Sequence, residues 1–358
     1  MLEFATQQPA AETFADRTLQ IVNDAALALM ISVGHRTKLF DVMATRSGWS
    51  AVDLAEAAGL NERYVREWLG AMVTGGVVSF DARAQRYTLP ADHAACLTRA
   101  ASPNNVAVTM QWISVLGAAE DAVVEAFLHG RGVPYSAYPR FHEVMAEESQ
   151  QTVVEGLLTH ILPLAPGLEA RLHEGIDVLD VACGSGRAIQ TLAQRFPESR
   201  FTGIDFSAEA ISAAHGEAAA RHLANASFVK GDVAELPWAA AFDLVTAFDA
   251  IHDQAKPSRV LKRIYQALRP GGVLLMQDIL GHTHLEDNVG QPLAPFLYTI
   301  SCLHCMSVSL AAGGPGLGAM WGRERAVEMI VAAGFPDVRV ETLPHDPLNY
   351  YYIAVKPR

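Results

Sequence analysis

Val178-Leu179-Asp180-Val181-Ala182-Cys183-Gly184-Ser185-Gly186-Arg187 is the stretch on which the fold turns. An apolar run leads into a Gly-x-Gly turn, and an amphipathic segment follows over 188–195. Glycines let a backbone turn sharply and approach a ligand closely. The N-terminus of the next helix adds free amide donors and partial positive charge. A dinucleotide-binding turn wants a third small residue at position 189; Ile189 stands there, which disfavours NAD or FAD.

Outward from this turn, short apolar runs alternate with amphipathic segments. The runs cover 178–181, 201–204, 227–229, 244–248 and 273–276, a pattern that predicts a parallel sheet wrapped by helices. Three runs carry an acid at or near their end: Asp180, then Gly203-Ile204-Asp205-Phe206-Ser207, then Phe228-Val229-Lys230-Gly231-Asp232-Val233. Asp205 stands nineteen residues beyond Gly186, where a carboxylate at a strand tip accepts ribose hydroxyls. Ligands of open α/β sheets bind outside the carboxyl ends of the strands, so the three acids are expected to ring one crevice.

In combination these motifs resemble a class I S-adenosylmethionine-dependent methyltransferase over residues 176–280. The resemblance implies an α/β, Rossmann-like, seven-stranded domain, with a sixth strand near 338–341 and an antiparallel seventh near 350–355. Leu268-Arg269-Pro270-Gly271-Gly272-Val273-Leu274 is similar to the family's turn into strand five. S-adenosyl-L-methionine, leaving as S-adenosyl-L-homocysteine, would then be held by Asp180, Ala182, Cys183, Gly184, Ser185, Gly186, Asp205, Phe206, Ser207, Gly231, Asp232, Val233, Phe248, Asp249 and Asp253. In the O-methyltransferases of this class a His-Asp pair follows strand four, and the His is the general base. Phe248-Asp249-Ala250-Ile251-His252-Asp253-Gln254 occupies that place, so His252 is the candidate base; Gln254 replaces the aromatic residue usual after the pair. Chemistry supports the choice independently. Methyl transfer is an in-line displacement, and a hydroxyl attacks poorly until its proton leaves for a group such as imidazole. A structural or substrate-orienting His252 is the alternative.

The first hundred residues read as helices followed by a two-stranded hairpin. Leu19, Ile21, Val22, Ala25, Ala26, Leu29 and Met30 recur at helical spacing. Ser50 is placed to cap a helix over 51–58, and Asn61 one over 62–74, ahead of strands at 77–80 and 86–89. This is the winged-helix order. Residues 16–100 hold nine Lys/Arg and nine Asp/Glu, whereas binding DNA phosphates needs a cationic surplus on one face. Nucleic acid is disfavoured, and packing into a homodimer is the expected role. The whole chain thus resembles winged-helix small-molecule methyltransferases of the plant caffeate and bacterial polyketide type, most of all an actinobacterial group. The expected organisation is a winged-helix dimerisation domain at 1–100, a helical bridge at 101–168 with helices over 106–127 and 141–162, and a methyltransferase domain at 169–358.

Composition agrees with a cytoplasmic enzyme. Half of the 358 residues are hydrophobic and 18% charged, which excludes a disordered or disulfide-stapled chain. The net charge of −12 excludes a polybasic membrane anchor. Four cysteines in so long a chain fit free thiols in a reducing compartment, and residues 1–15 lack the basic and apolar regions of a signal peptide.

From 288 to 322 there is no charged side chain. Ser, Thr, His, Pro and Gly interrupt the segment, so a buried helix is expected rather than a membrane span. Tyr298, Cys302, Cys305, Met306 and Trp321 from this segment, with Met110, Trp112, Tyr135 and Tyr138 from the bridge, are the candidate acceptor-lining residues. On an α-helix Cys302, Cys305 and Met306 share a face and His304 points the other way. No metal site is therefore expected at the Cys-x-x-Cys. The expected activity is methyl transfer to a small, largely apolar acceptor at a hydroxyl. An S- or N-methyltransferase, and a transcriptional regulator that keeps a cofactor-binding fold, are the alternatives.

Overall fold

The structure, a computed structural model, describes residues 13–358 and divides into two compact units between Ser114 and Val115. In the first unit the helices start where the sequence places their caps. Ser50 Oγ accepts the Asp53 amide at 3.1 Å and opens helix Ala51–Ala58; Asn61 Oδ1 accepts the Arg63 amide at 3.0 Å and opens helix Glu62–Thr74. Val65, Trp68, Leu69 and Met72 of the latter pack into a core with Phe40, Met43 and Leu54. Strands β1 (Ser79–Asp81) and β2 (Arg86–Thr88) form the antiparallel wing, each shorter than its apolar run. Two short helices, Leu39–Met43 and Ala91–Leu97, have no strong periodicity and escape prediction.

The first helix, Phe14–Arg36, buries Ala28, Ile31 and Ser32. Most of the apolar residues that predict it stay out of the core: Leu19, Ile21, Val22 and Leu29 are 66%, 49%, 65% and 43% exposed, while Met30 packs against the core. On helix Glu62–Thr74, Arg63 pairs with Glu67 at 2.5 Å and Arg66 with Glu62 at 2.6 Å, so its cations are already neutralised by neighbours one turn away.

The second unit is built on a seven-stranded sheet in the order β5-β4-β3-β6-β7-β9-β8. Its strands are β3 (Asp177–Val181), β4 (Arg200–Asp205), β5 (Ala226–Lys230), β6 (Phe242–Phe248), β7 (Leu268–Ile279), β8 (Val338–Leu343) and β9 (Asp346–Val355). Only β9 runs antiparallel to its neighbours. Both faces are covered, and side chains alternate between them as a pleated strand requires. Leu179, Val245 and Leu274 pack with Ile264 and Ile330 on one face; Val178, Leu244 and Leu275 pack with Ile161 and Leu192 on the other. The order reverses between β3 and β6, which opens a crevice beyond the carboxyl ends of these strands.

The bridge departs from expectation at one point. Instead of one helix over 106–127 there are two, Gln111–Gly117 and Glu120–His129, broken after Gly117, where glycine weakens a helix. Helix Phe141–Ser149 continues into π turns at Gln150–Val154 and Leu157–Ile161. The uncharged segment forms one helical run, Ala294–Ala311, whose middle turn, Ser301–Cys305, is π-helical. Its length and composition would allow it to cross a membrane, but in this fold Ser301, His304, Cys305, Ser307, Val308 and Ser309 are buried within the second unit. All four cysteines are free.

Candidate active site

Beyond β3 the chain enters the turn with Ala182, Gly184 and Gly186 all in the left-handed region, at φ +55°, +53° and +71°. A Cβ on Gly184 would meet nothing within 4 Å, so its backbone faces open space; one on Gly186 would strike the Phe228 ring at 2.2 Å. One glycine leaves room for a ligand and the other lets helix Arg187–Arg195 sit against the sheet. Ser185 is half-buried, and its carbonyl accepts Gln190 Nε2 at 3.1 Å. The half-buried Cys183 packs its thiol toward Gly203, and burial pushes that thiol up.

Asp180 is buried under the turn and accepts Thr246 Oγ1 at 2.6 Å. Burial pushes its carboxyl up to about 7, against the Thr246 hydrogen bond and with help from Asp205. Asp205 closes β4: Oδ2 accepts the Gly184 amide at 2.9 Å and Oδ1 the Ser207 amide at 2.8 Å. Each oxygen keeps a lone pair for a hydroxyl. Ser207 caps helix Ala208–Ala220, and Phe206 is 53% exposed beside it. Beyond β5, the Gly231 amide binds the Asp205 carbonyl at 2.9 Å, Asp232 is exposed and accepts the Ala234 amide at 2.8 Å, and Val233 is core. Asp180, Asp205 and Asp232 thus stand at the carboxyl ends of three adjacent strands. An open glycine turn between such acids suits a ligand carrying an amine and a ribose.

The second half of the site lies past β6 and β7. After the half-buried Phe248, Asp249 takes φ +52°, and its amide binds the Gln277 carbonyl at 2.9 Å. His252 is 3% exposed, and its Nδ1 lies 2.8 Å from Asp278 Oδ1. The same oxygen accepts the Ile279 amide at 2.9 Å and Trp321 Nε1 at 3.0 Å. Cys305 lies close to the ring. Burial alone would lower the proton affinity of His252, but Asp278 and Cys305 raise it well above the ordinary value. Burial pushes Asp249 up to about 7, with His252 opposing and Asp278 adding. Burial also raises Asp253, which accepts the Tyr135 hydroxyl. Donor atoms of Asp249, His252 and Asp278 all lie within 4.8 Å of one another, close enough to hold a metal ion. The donors already on Asp278 Oδ1 equally suit a carboxylate that orients an imidazole.

Several proposed acceptor-lining residues converge here. Cys305 reaches His252 and Trp321 holds Asp278. The Tyr138 hydroxyl donates to the Leu303 carbonyl of the π turn, with Cys302 and Cys305 nearby. Met306 packs against Gly316 and Gly318. Tyr298 is engaged elsewhere, its hydroxyl accepting Asn288 Nδ2 at 3.3 Å. Met110 and Trp112 lie in the first unit, Met110 against that unit's own core. The sequence reading does not single out Asp278, although a lone acid at the end of an apolar strand is the same signal that Asp205 gives. It also turns His304 away from the cysteines, because it assumes an α-helix. The wider π turn buries His304 and Cys305 together.

The chain resembles known proteins in two places. Residues 25–99 match the Rv2258c-like winged HTH domain, and residues 172–303 match a methyltransferase domain model. Trans-aconitate 2-methyltransferase of Deinococcus radiodurans is 38% identical over 107 residues, 30% of this chain and 39% of that protein. The chain spans only about two fifths of the length of such curated relatives. Among solved structures, human N-acetylserotonin methyltransferase in complex with S-adenosylmethionine aligns at a TM-score of 0.70 with 19% identity, over 98% of this chain and 100% of that one. An O-methyltransferase family protein from Burkholderia thailandensis aligns at 0.68 with 17% identity, over 97% and 99%. At these identities the likeness is one of fold. The chain joins an Rv2258c-like winged helix-turn-helix domain to a methyltransferase domain.

Proposed function

We propose that this protein transfers a methyl group from S-adenosylmethionine to a hydroxyl of a small, uncharged acceptor, with His252 as general base. The observation that carries the reading is the buried His252–Asp278 pair beside the glycine turn and its acids. When bound, S-adenosylmethionine supplies the methyl group and its leaving group on one sulfonium. Gly184, Asp180 and Asp205 would hold it, since the open backbone and the two strand-end carboxylates fit its amine and ribose. Asp278 keeps Nδ1–H of His252 as donor, which leaves Nε2 to take the acceptor's proton once its own is shed. No step needs a metal ion.

The acceptor's charge follows from the surroundings. Asp249, Asp253 and Asp278 stand around His252, and among the described residues no Lys or Arg is buried. A tricarboxylate such as the trans-aconitate in the Deinococcus relative's name would find no counter-charge here. The exposed apolar stripe of helix Phe14–Arg36 supports a homodimer formed through the first unit, and the paired cations of helix Glu62–Thr74 speak against DNA.

Binding of S-adenosylhomocysteine should raise the denaturation midpoint by mass action, and no shift at saturation refutes the cofactor assignment. His252→Ala should keep that binding and cost roughly 10²–10⁴-fold in kcat. A small loss would favour a thiol acceptor, which ionises without help.

A further inference from the structure

The π turn Ser301–Cys305 brings a second histidine to the base, and nothing in the reading above uses it. His304 is 2% exposed, and its Nε2 is buried without a hydrogen-bond partner. Buried polar atoms are nearly always paired, because an unpaired one forfeits its hydration for nothing. The immediate neighbours of the ring are aromatic, and none pairs with its Nε2. The His304 ring stacks on Phe141 with centroids 4.2 Å apart, and Tyr135 and Tyr138 meet it edge-on at 5.1 and 4.7 Å. Both tyrosine hydroxyls already donate elsewhere, one to Asp253 and one to the Leu303 carbonyl. The helix that continues the turn, Met306–Ala311, is also held in place: the Val133 amide binds the Ser307 carbonyl at 3.1 Å, and a Cβ on Gly132 would meet that carbonyl at 2.0 Å. Burial, with His252 and His142 nearby, pushes His304 down to about 3, so the ring is uncharged.

We propose that His304 selects the methyl acceptor, its Nε2 hydrogen-bonding a second polar atom of a planar, uncharged hydroxyl compound whose reacting hydroxyl lies at His252. The aromatic rings around His304 favour a flat molecule, and with no Lys or Arg buried among the described residues an anionic one would lack a counter-charge. The inference rests on the methyl-acceptor role proposed above. A site built to pair a polar group rejects an analogue lacking it far more strongly than a greasy wall does.

The test saturates the protein with S-adenosylhomocysteine and titrates in 1-naphthol, 2-naphthol and the dihydroxynaphthalene isomers. Wild type is expected to bind at least one diol about tenfold or more tightly than its parent naphthol. His304→Phe should bind both equally while keeping S-adenosylhomocysteine and the naphthols, and His304→Gln should keep part of the preference. In wild-type imidazole ¹⁵N spectra, the resonance lost in His304→Phe should move with the diol and not with the naphthol. A role confined to packing leaves that resonance still. Failure of S-adenosylhomocysteine to bind removes the methyl-transfer reading itself. With that binding intact, the proposal falls if no naphthol binds, if diols and naphthols bind wild type equally, or if the preference survives in His304→Phe. Should that variant not fold, His304→Gln and the wild-type response to each probe decide in the same way.

Discussion

Asp278→Asn separates the two things that Asp278 does for His252. Its Oδ1 accepts His252 Nδ1 at 2.8 Å, the Ile279 amide at 2.9 Å and Trp321 Nε1 at 3.0 Å. Two fixed donors hold that oxygen, so an asparagine carbonyl takes the same position and the imidazole keeps its tautomer. What disappears is the charge. Unit charges 2.8 Å apart attract by about 6 kcal/mol at an effective dielectric constant of about 20. Burial of the ring offsets part of this, and the usual outcome of such a neighbour is a ten- to thousandfold gain in proton affinity, as an order of magnitude. In wild type His252 must therefore shed a proton before it can accept one, and kcat/KM should rise with pH through the raised value. In the variant the ascending limb should move to lower pH by about one to three pH units. The new amide nitrogen takes the place of Oδ2, which is buried without a partner, at a cost of about 1–3 kcal/mol in stability. Histidine NMR titration of His252, assigned through His252→Ala, reads the change without any acceptor, and the pH dependence of kcat/KM reads it with one. A titration that stays in place in a folded Asp278→Asn protein refutes the electrostatic account of the base.

Two further outcomes follow from the same geometry. Gly203→Ala would place a Cβ 2.7 Å from Cys183 Sγ and 2.8 Å from the Phe228 ring; denaturant melts should show a loss of about 1–3 kcal/mol, and calorimetry a weaker affinity for S-adenosylhomocysteine. Asp180 and Asp249, both pushed up to about 7, and His252, raised above its ordinary value, retain protons in the folded chain that the unfolded chain has released. His304, pushed down to about 3, opposes them up to about pH 6.5, but the three raised groups outnumber it, so stability falls as pH rises through 7. Glu324, held down to about 2 by the Thr283 amide and His282 against its burial, acts only below that window. The ligand-free melting temperature should be higher at pH 5.5 than at 7.5, and the opposite order would refute the assignment of protons.

The glycine turn was legible in the sequence because backbone geometry imposes it. Only a residue tolerant of positive φ fits at 184 and 186, and only a small one clears Phe228. The strand-end acids were legible for a related reason, since an acid interrupting an apolar run must sit where the strand meets solvent or ligand. The two caps at Ser50 and Asn61 depend on residues two or three apart and needed no tertiary information. Other features depend on contacts between distant segments. Nothing local makes Ser301–Cys305 a π turn; it is held by Tyr138, 165 residues away, and that turn decides which way His304 points. Periodicity found the first helix but not its buried face, because an apolar stripe looks the same whether it meets the chain's own core or another surface.

The charge arithmetic around His252 connects these parts. With His252 raised by Asp278, and the carboxyls of Asp249 and Asp253 raised by burial, the negative charge beside the His252–Asp278 pair is reduced. A dry site favours such a reduction. Releasing the proton of His252, which base catalysis demands, would leave the Asp278 charge unbalanced, and the lack of any buried Lys or Arg among the described residues means that the chain supplies no replacement. S-adenosylmethionine, bound as proposed, would bring one. A cation beside the imidazole would also lower its proton affinity, so under the proposed reaction the group that donates the methyl would make the base available. Cationic side chains, of which sequence inspection naturally takes note, would defeat this arrangement by fixing the balance in advance. The lack of buried ones among the described residues suits the proposed reaction, in which the positive charge arrives with one substrate and is lost with the methyl group.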